Sequence, residues 1–374
     1  MAITGLMLGP ESYGDRLEAI NNIVRTHLPV REAVYIEGVL TFKVMTREIK
    51  ESFKTIYSEL SRIGFVPVAQ DIDGEVALKV FPYRAPERRR SRWPLFLFIV
   101  TVFTVFIDGV IRSGSIGAFP ASPRFWEAVA YTIGVLSIIG IHELGHKISA
   151  RQDKIDSSLP YFIPGIPGVM PTFGAIIFQR GPIRNRDDLF DLGVSGPIAG
   201  FLASLVVMAF AFQQAEWVEK RVVEELVQRG AVSLLPSPLI FNLANTMFAR
   251  GDLVPIFPAV GFAAWLGMVV TSLNLLPVWQ LDGGRIFRSL TSFKRYRILS
   301  FISVGILFMT GYYYLSLLLL FFLMTPIDFA PLDMVSPLSK FRKISFIGVI
   351  LMLIVTFVIL PGPLLGLLSP LLRY

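Results

Sequence analysis

Hydrophobic positions recur at helix and strand spacing in the first 85 residues of the chain. Leu17, Ile20 and Val24 form one apolar stripe, and the segment from Phe53 to Leu60 carries a second one. Stripes of this kind are typical of helices that pack on one face. Four β-rich runs complete the pattern: AVYIEG, LTFKVM, FVPVAQ and VALKVF. The order predicts a small soluble α/β domain over residues 1–85, with elements α-β-β-α-β-β.

From residue 93 onwards the chain is dominated by apolar segments. A helix needs about 20 apolar residues to cross a bilayer. Six segments approach that length: 93–111, about 125–150, 192–215, 255–281, 298–324 and 344 to about 360. The pattern predicts a polytopic α-helical membrane domain over 93–374, with about six transmembrane helices.

A basic linker at residues 86–92 joins the two predicted domains. The positive-inside rule places this linker and the N-terminal domain in the cytosol. Counted from there, the second and fourth spans both end at the cytosolic side. The same count puts the basic residues 340–343 outside, against that rule.

Residues 157–179 are uncharged but contain four prolines, at 160, 164, 167 and 171. This density excludes a helix. Irregular backbone survives at membrane depth only where protein or water satisfies it. We therefore expect a re-entrant β-hairpin region in which TFGAIIF is a strand lining a cavity. The alternative is a surface loop outside the bilayer.

Composition supports a membrane protein and excludes other classes. Hydrophobic residues make up 53% of the chain, more than an ordinary soluble protein carries. The net charge is +7, but the basic residues flank apolar spans, so we reject nucleic acid as a partner. The chain has no cysteine, which excludes disulfides and thiolate metal sites.

A histidine pair and a glutamate lie where residues 125–150 should cross the membrane. His142, Glu143 and His146 belong to the sequence HELGH. The chain has one other histidine, His27. Residues four apart share one helix face, so the pair can bind one metal ion. Zinc suits this donor set and lowers the pKa of a bound water toward about 7, where Glu143 can take its proton. The alternative is a chance match with surface histidines, but charge inside a bilayer is costly and usually functional.

A third ligand should come from a carboxylate on another membrane helix, with His27 as a distant alternative. Asp282 in NLLPVWQLDGGR lies at the inner end of the fourth span, at a depth like that of the histidines. It could instead simply pair with Arg285. Asp108 is a competitor that falls at the opposite leaflet. Asn274 could offer its amide to a substrate carbonyl, or form an interhelical hydrogen bond.

With these residues the chain resembles the site-2 protease family of intramembrane zinc metalloproteases. The resemblance rests on HELGH at 142–146, NLLPVWQLDGG at 274–284 and TFGAIIFQRGPIRNRDDLFDLGVSGPIAGF at 172–201, and covers about residues 93–290. The stretches NRDDLFDLGVSGP and PLDMVSP look closest to archaeal and chloroplast members. The resemblance implies one zinc ion per chain held by His142, His146 and Asp282. It also implies Glu143 as catalytic base, Asn274 in substrate handling and a membrane-embedded β region near the site.

The expected substrate is a transmembrane segment of another protein, cut near the cytosolic leaflet of the cell membrane. Such a helix must unwind before cleavage, and its strand could add to TFGAIIF. Phe173, Gly174 and Ile176 are the expected contacts there. The alternative is a metal carrier or zinc scaffold without enzymatic activity. The sequence leaves the substrate, the trigger, the role of the N-terminal domain, the gating helices and the oligomeric state open.

Overall fold

The computed structural model describes residues 13–84, 91–114, 123–230, 234–278, 281–325 and 328–360, and these residues are mostly helical. The helices are α1 Leu17–His27, α2 Lys50–Arg62, α3 Trp93–Arg112, α4 Pro123–Gln152, α5 Arg186–Gln214, α6 Lys220–Gln228, α7 Leu239–Phe248, α8 Ala259–Asn274, α9 Asp282–Leu290, α10 Phe293–Met309, α11 Tyr313–Leu323 and α12 Lys340–Thr356. The strands are β1 Val30–Ile36, β2 Val39–Val44, β3 Phe65–Ile72, β4 Glu75–Pro82, β5 Tyr161–Ile166, β6 Met170–Ile176, β7 Glu216–Glu219 and β8 Leu253–Ile256. The predicted linker at 86–92 lies outside the described residues except for its last two positions.

The first four strands form one antiparallel sheet in the order β1-β2-β4-β3. The helices α1 and α2 cover it with apolar faces, in which Ile20, Val24, Phe53 and Leu60 are fully buried. The sheet and the helices share one hydrophobic core. Strand β3 is left at an edge of the sheet, so its outer backbone groups are free to pair with another segment.

Among the described residues, three helices are long and apolar enough to cross a membrane: α3, α4 and α5. The helices α7, α8 and α11 are apolar but shorter. The fourth predicted span ends earlier than expected, because α8 stops at Asn274 and the chain continues through Pro277 into α9. A proline lacks the backbone N–H that a continuing helix needs.

Strands β5 and β6 form an antiparallel hairpin between α4 and α5. Its pairing is irregular, since the register shifts between Phe162 and Pro164. An isolated bridge between Ser157 and Gln179 extends the pairing beyond the strands. The hairpin packs along α3, where the rings of Phe98 and Phe162 lie 5.1 Å apart.

The predicted single span at 298–324 is wrong: this segment folds as two helices, α10 and α11. The chain reverses at Gly311, whose φ of 90° lies in the left-handed region that glycine adopts without strain. The two helices run antiparallel, because Leu323 at the end of α11 accepts a hydrogen bond from Arg297 near the start of α10. Apolar composition did not reveal this break, since residues 298–324 contain no charged residue on either side of it.

The reversal also corrects the predicted side of residues 340–343. Arg342 pairs with Asp187 at 2.9 Å and with Asp191, both in the first turns of α5. At its other end α12 meets the turn between α10 and α11, where Leu360 N donates to Thr310 O at 3.0 Å. Residues 340–343 therefore lie on the side where α5 begins and α4 ends.

Residues 331–336, here the 331–336 segment, join the N-terminal sheet to the helical part of the chain. Ala69 at the edge of β3 exchanges two backbone hydrogen bonds with it, to Leu332 O at 2.8 Å and from Met334 N at 3.1 Å. On its other side the segment donates to Ile183 O and Arg184 O, just before α5. The side chain of Leu332 is buried in the core of the N-terminal sheet.

Candidate metal centre

Helix α4 carries His142, Glu143 and His146 inside the protein. Their exposed fractions are 6%, 7% and 7%, so all three are buried. The four-residue spacing puts both imidazoles on one helix face, with their Nε2 atoms 3.1 Å apart.

Asp282 approaches this pair from a separate element, as the first residue of α9. Its Oδ2 atom lies 3.2 Å from Nε2 of His142 and 3.2 Å from Nε2 of His146. Its Oδ1 atom accepts a hydrogen bond from Arg285 at 3.2 Å. Asp282 thus faces the histidines and also pairs with Arg285. The two predicted roles of this carboxylate, candidate metal ligand and partner of Arg285, are therefore compatible.

The donor set fits a metal ion. His146 Nδ1 lies 2.8 Å from the carbonyl of Leu192, and donating there leaves the lone pair on Nε2. The Nε2 atoms of both histidines and Oδ2 of Asp282 all lie within 4.8 Å of one another. Three buried acceptors facing each other need a shared cation or a proton, and two imidazoles with a carboxylate are typical ligands of catalytic zinc.

Helix α5 passes close to the histidines because Gly196 has no side chain at the crossing. A Cβ atom at this position would overlap the ring of His146. The close crossing brings the Leu192 carbonyl within reach of the same ring, so α5 fixes its orientation.

A cavity of about 150 Å³ opens onto the cluster. Glu143, Asn274 and Ile176 line it together with the three candidate ligands. Of the other residues predicted to contact substrate, Phe173 and Gly174 lie on β6 away from this lining. Phe173 is exposed over 56% of its surface.

The two alternative ligands lie elsewhere. His27 Nε2 lies 3.1 Å from Glu59 in the N-terminal part of the chain. Asp108 is buried in α3 beside Arg112 and Tyr131. Within the described residues neither belongs to the cluster of His142, His146 and Asp282.

Three further residues lie around the cavity, and the sequence did not identify them as part of the site. Arg285 and Gln179 line the cavity, and Lys147 donates to the carbonyls of Ser157 at 2.7 Å and Ser158 at 3.0 Å. Lys147 could have been singled out, because a cation in an apolar helix needs a partner. No sequence signal marked the Leu192 carbonyl.

A family model described as Peptidase family M50 matches residues 130–318. The probable zinc metalloprotease EGY2, chloroplastic, of Oryza sativa subsp. indica is 26% identical over 283 residues, which are 71% of this chain and 49% of the relative. EGY2 of Arabidopsis thaliana is 25% identical over 362 residues, 91% of this chain and 62% of that protein. EGY1 of Arabidopsis thaliana is 36% identical over 162 residues, 42% of this chain and 29% of that protein. The chain spans about half the length of the rice relative. No solved structure matches the chain.

Proposed function

The chain belongs to peptidase family M50, the site-2 protease family, and on this basis we propose that it is an intramembrane zinc metalloprotease. It hydrolyses a peptide bond in or near a transmembrane segment of a membrane-protein substrate. The observation that carries the proposal is the convergence of His142, His146 and Asp282 beside Glu143 in one buried cavity. Relatives named probable zinc metalloproteases support the same activity.

The residues divide the chemistry between them. His142, His146 and Asp282 hold one zinc ion, which when bound acidifies a water molecule and polarises the substrate carbonyl. Glu143 takes the proton of the attacking water and later delivers it to the departing amine nitrogen. Asn274 offers its amide to the carbonyl oxygen, where negative charge develops.

The substrate is proposed to bind as an added strand. A transmembrane helix must unwind before its peptide bond is reachable, and the freed backbone groups then need partners. Strand β6 ends in the cavity, and Ala175 and Ile176 line it. Pairing along β6 would satisfy the unwound segment, with Phe173 and Gly174 in contact outside the cavity.

The membrane arrangement follows from the positions of the charged ends. We place α3, α4, α5, α8, the α10–α11 pair and α12 in the bilayer of the cell membrane, with the β5–β6 hairpin re-entrant among them. The beginning of α5, the N-terminal α/β domain and the active-site end lie on the cytosolic side. The ion pairs of Arg342 with Asp187 and Asp191 support one common side for these parts. The N-terminal domain is the proposed control element.

Cleavage by purified protein tests the proposal. The protein is incubated with a panel of single-span membrane proteins, with and without a zinc chelator, and cut sites are mapped by mass spectrometry. Glu143→Ala should retain zinc and lose cleavage, whereas His146→Ala should lose both. Glu127→Ala, on the same helix and away from the cavity, should keep both. A metal carrier without proteolytic activity would instead transport zinc in the Glu143→Ala variant and cut nothing in any variant.

A further inference from the structure

Asp108 is a fully buried carboxylate that the proposed chemistry does not use. Its exposed fraction is 0%, and it accepts hydrogen bonds from three donors. Arg112 Nε on its own helix lies at 2.6 Å, and Tyr131 Oη on α4 lies at 2.5 Å. The third donor is the backbone N–H of Gly168 at 2.7 Å, in the turn that joins β5 to β6. The carboxylate therefore ties the tip of the hairpin to two membrane helices.

The hairpin has few internal means of holding its position. Its pairing shifts register between Phe162 and Pro164, and its two strands are short. Thr104 on α3 provides a second tie, because its hydroxyl donates to the Pro171 carbonyl at 3.2 Å. At the base of the hairpin Lys147 binds the carbonyls of Ser157 and Ser158. The hairpin is thus fixed at its tip by Asp108 and Thr104 of α3, with support from Tyr131 of α4, and at its base by Lys147 of α4.

A fixed tip matters because strand β6 runs from the tip toward the cavity. Successive residues of a strand face opposite sides, so a slip of one residue exchanges the side chains that face the substrate. The tip is the point from which such a slip would begin, since the base is held by Lys147. A buried carboxylate with three partners also resists displacement, because any donor that leaves exposes an unpaired charge.

We propose that Asp108 is a positioning residue that fixes the register of β6 against the metal cluster and thereby selects which substrate bond reaches Glu143. The inference rests on the proposed function, since bond selection presumes proteolysis. Asp108 touches neither the cavity nor the candidate ligands. It acts through Gly168 and the strand that follows.

The variants must separate anchoring from folding. Removing the Asp108 charge alone would leave Arg112 unpaired, although its guanidinium also stacks at 3.7 Å on the Phe262 ring. The double variant Asp108→Leu with Arg112→Gln removes both charges together, and leucine also lacks the oxygen that accepts from Gly168 N–H. Thr104→Val removes only the second tie. Thr101→Val is its matched control, because this hydroxyl bonds within α3 to Leu97 O and does not reach the hairpin.

Spin labels measure the anchoring without any need for cleavage. The chain has no native cysteine, so Val169→Cys beside the tip and Val206→Cys on α5 can be labelled uniquely. Both positions are exposed, at 75% and 71%. The parent should give one narrow distance distribution, and the double variant should broaden it or add a second population. An unchanged distribution in the double variant overturns the proposal.

Cut-site mapping measures the consequence for the reaction. In the double variant, cleavage at the parent's main bond should fall by about tenfold to a hundredfold, as expected for a misplaced reacting group. Cuts at neighbouring bonds should appear in the double variant, and its zinc content should equal that of the parent. Thr104→Val should shift the cut pattern in the same direction, whereas Thr101→Val should leave it unchanged. An unaltered cut pattern contradicts the proposal. If the parent cuts nothing, bond selection falls with the proposed function, whereas the spin labels still decide whether Asp108 anchors the hairpin.

Discussion

Gly196 decides whether α4 and α5 can cross where the histidines lie. A Cβ atom there would overlap the His146 ring, whereas a Cβ on Gly140 of α4 would meet nothing within 4 Å. Gly196→Ala should therefore displace His146 and weaken zinc binding by at least about tenfold, in the range seen when the support of a ligand is lost. Gly140→Ala should leave it unchanged. Competition with a chromophoric chelator measures both, and equal zinc affinity in the two variants would contradict this role of Gly196.

Asp153, just after α4, gives the stability of the protein a specific pH dependence. Burial raises the pKa of this carboxyl to about 6, Asp188 adds to the rise, and Arg184 opposes it. The folded protein therefore favours the protonated form. This contribution to stability is present at low pH and is lost as the pH rises through about 6.

Asp153→Asn should consequently stabilise the protein at neutral pH. The expected gain is at most about 3 kcal/mol at pH 7.5 and about half of that at pH 5. Thermal unfolding of both proteins at the two pH values measures it. Asp73→Asn removes the same charge from an exposed turn and should show no such pH dependence. A gain for Asp153→Asn that is equal at both pH values would rule out titration as its cause.

The sequence predicted contacts between residues that are close in sequence better than contacts between residues that are far apart in sequence. Spacing alone placed His142 and His146 on one helix face. The inner ends of two apolar segments suggested Asp282. The small residues four apart in GPIAG at 196–200 indicate close helix packing within the core. They do not show that α5 crosses α4 at His146, and the Leu192 carbonyl could not be found from the sequence, because its role depends on that crossing.

At the level of elements, composition predicted apolar helices but did not show where they break. The segment 298–324 is hydrophobic throughout, yet it reverses at Gly311. One glycine is not a reliable break, since glycine is common within membrane helices. The proline-rich stretch 157–179 gave a clearer signal, because four prolines exclude a helix. There the residues form the strands β5 and β6.

Strand β6 offers the sharpest element-level test of substrate pairing. Proline at Ile176 removes a backbone N–H beside the cavity without touching a candidate metal ligand. Cleavage of membrane substrates should fall strongly in Ile176→Pro, whereas zinc content should stay near that of the parent. Ile176→Val keeps the N–H and should cleave normally. Parallel loss of zinc and cleavage in the proline variant would show that β6 supports the metal site instead of the substrate.

At the scale of the whole molecule, the 331–336 segment lies between two parts of the chain that are far apart in sequence. Leu332 is buried against the N-terminal sheet, and Lys50 of α2 pairs with Asp187 of α5 at 2.7 Å. The Leu332 contact could not be predicted, because the PLDMVSP stretch carries no strand periodicity. The pair of Lys50 and Asp187 could not be predicted either, because the two residues lie far apart in the sequence. The edge of β3 provides the pairing surface, and an edge strand accepts any extended segment that fits.

Leu332→Asp should release the N-terminal sheet from the helical part of the protein. The free energy needed to bury a carboxylate in that apolar core is far larger than the stabilisation that the contacts of one side chain provide. Limited proteolysis should then cut within residues 85–92 faster than in the parent. Leu332→Met conserves the apolar volume and should be cut at the parent's rate. If the Leu332→Asp variant resists proteolysis as well as the parent does, other contacts suffice to hold the two parts together.

The position of Leu332 has a consequence for biosynthesis. The N-terminal sheet ends at residue 82, but one side chain of its core belongs to residue 332. At about 5–20 residues per second, the ribosome makes that residue on the order of ten seconds or more after the sheet has emerged. The core of the N-terminal sheet is therefore completed only after the helices α3 to α11 have been translated.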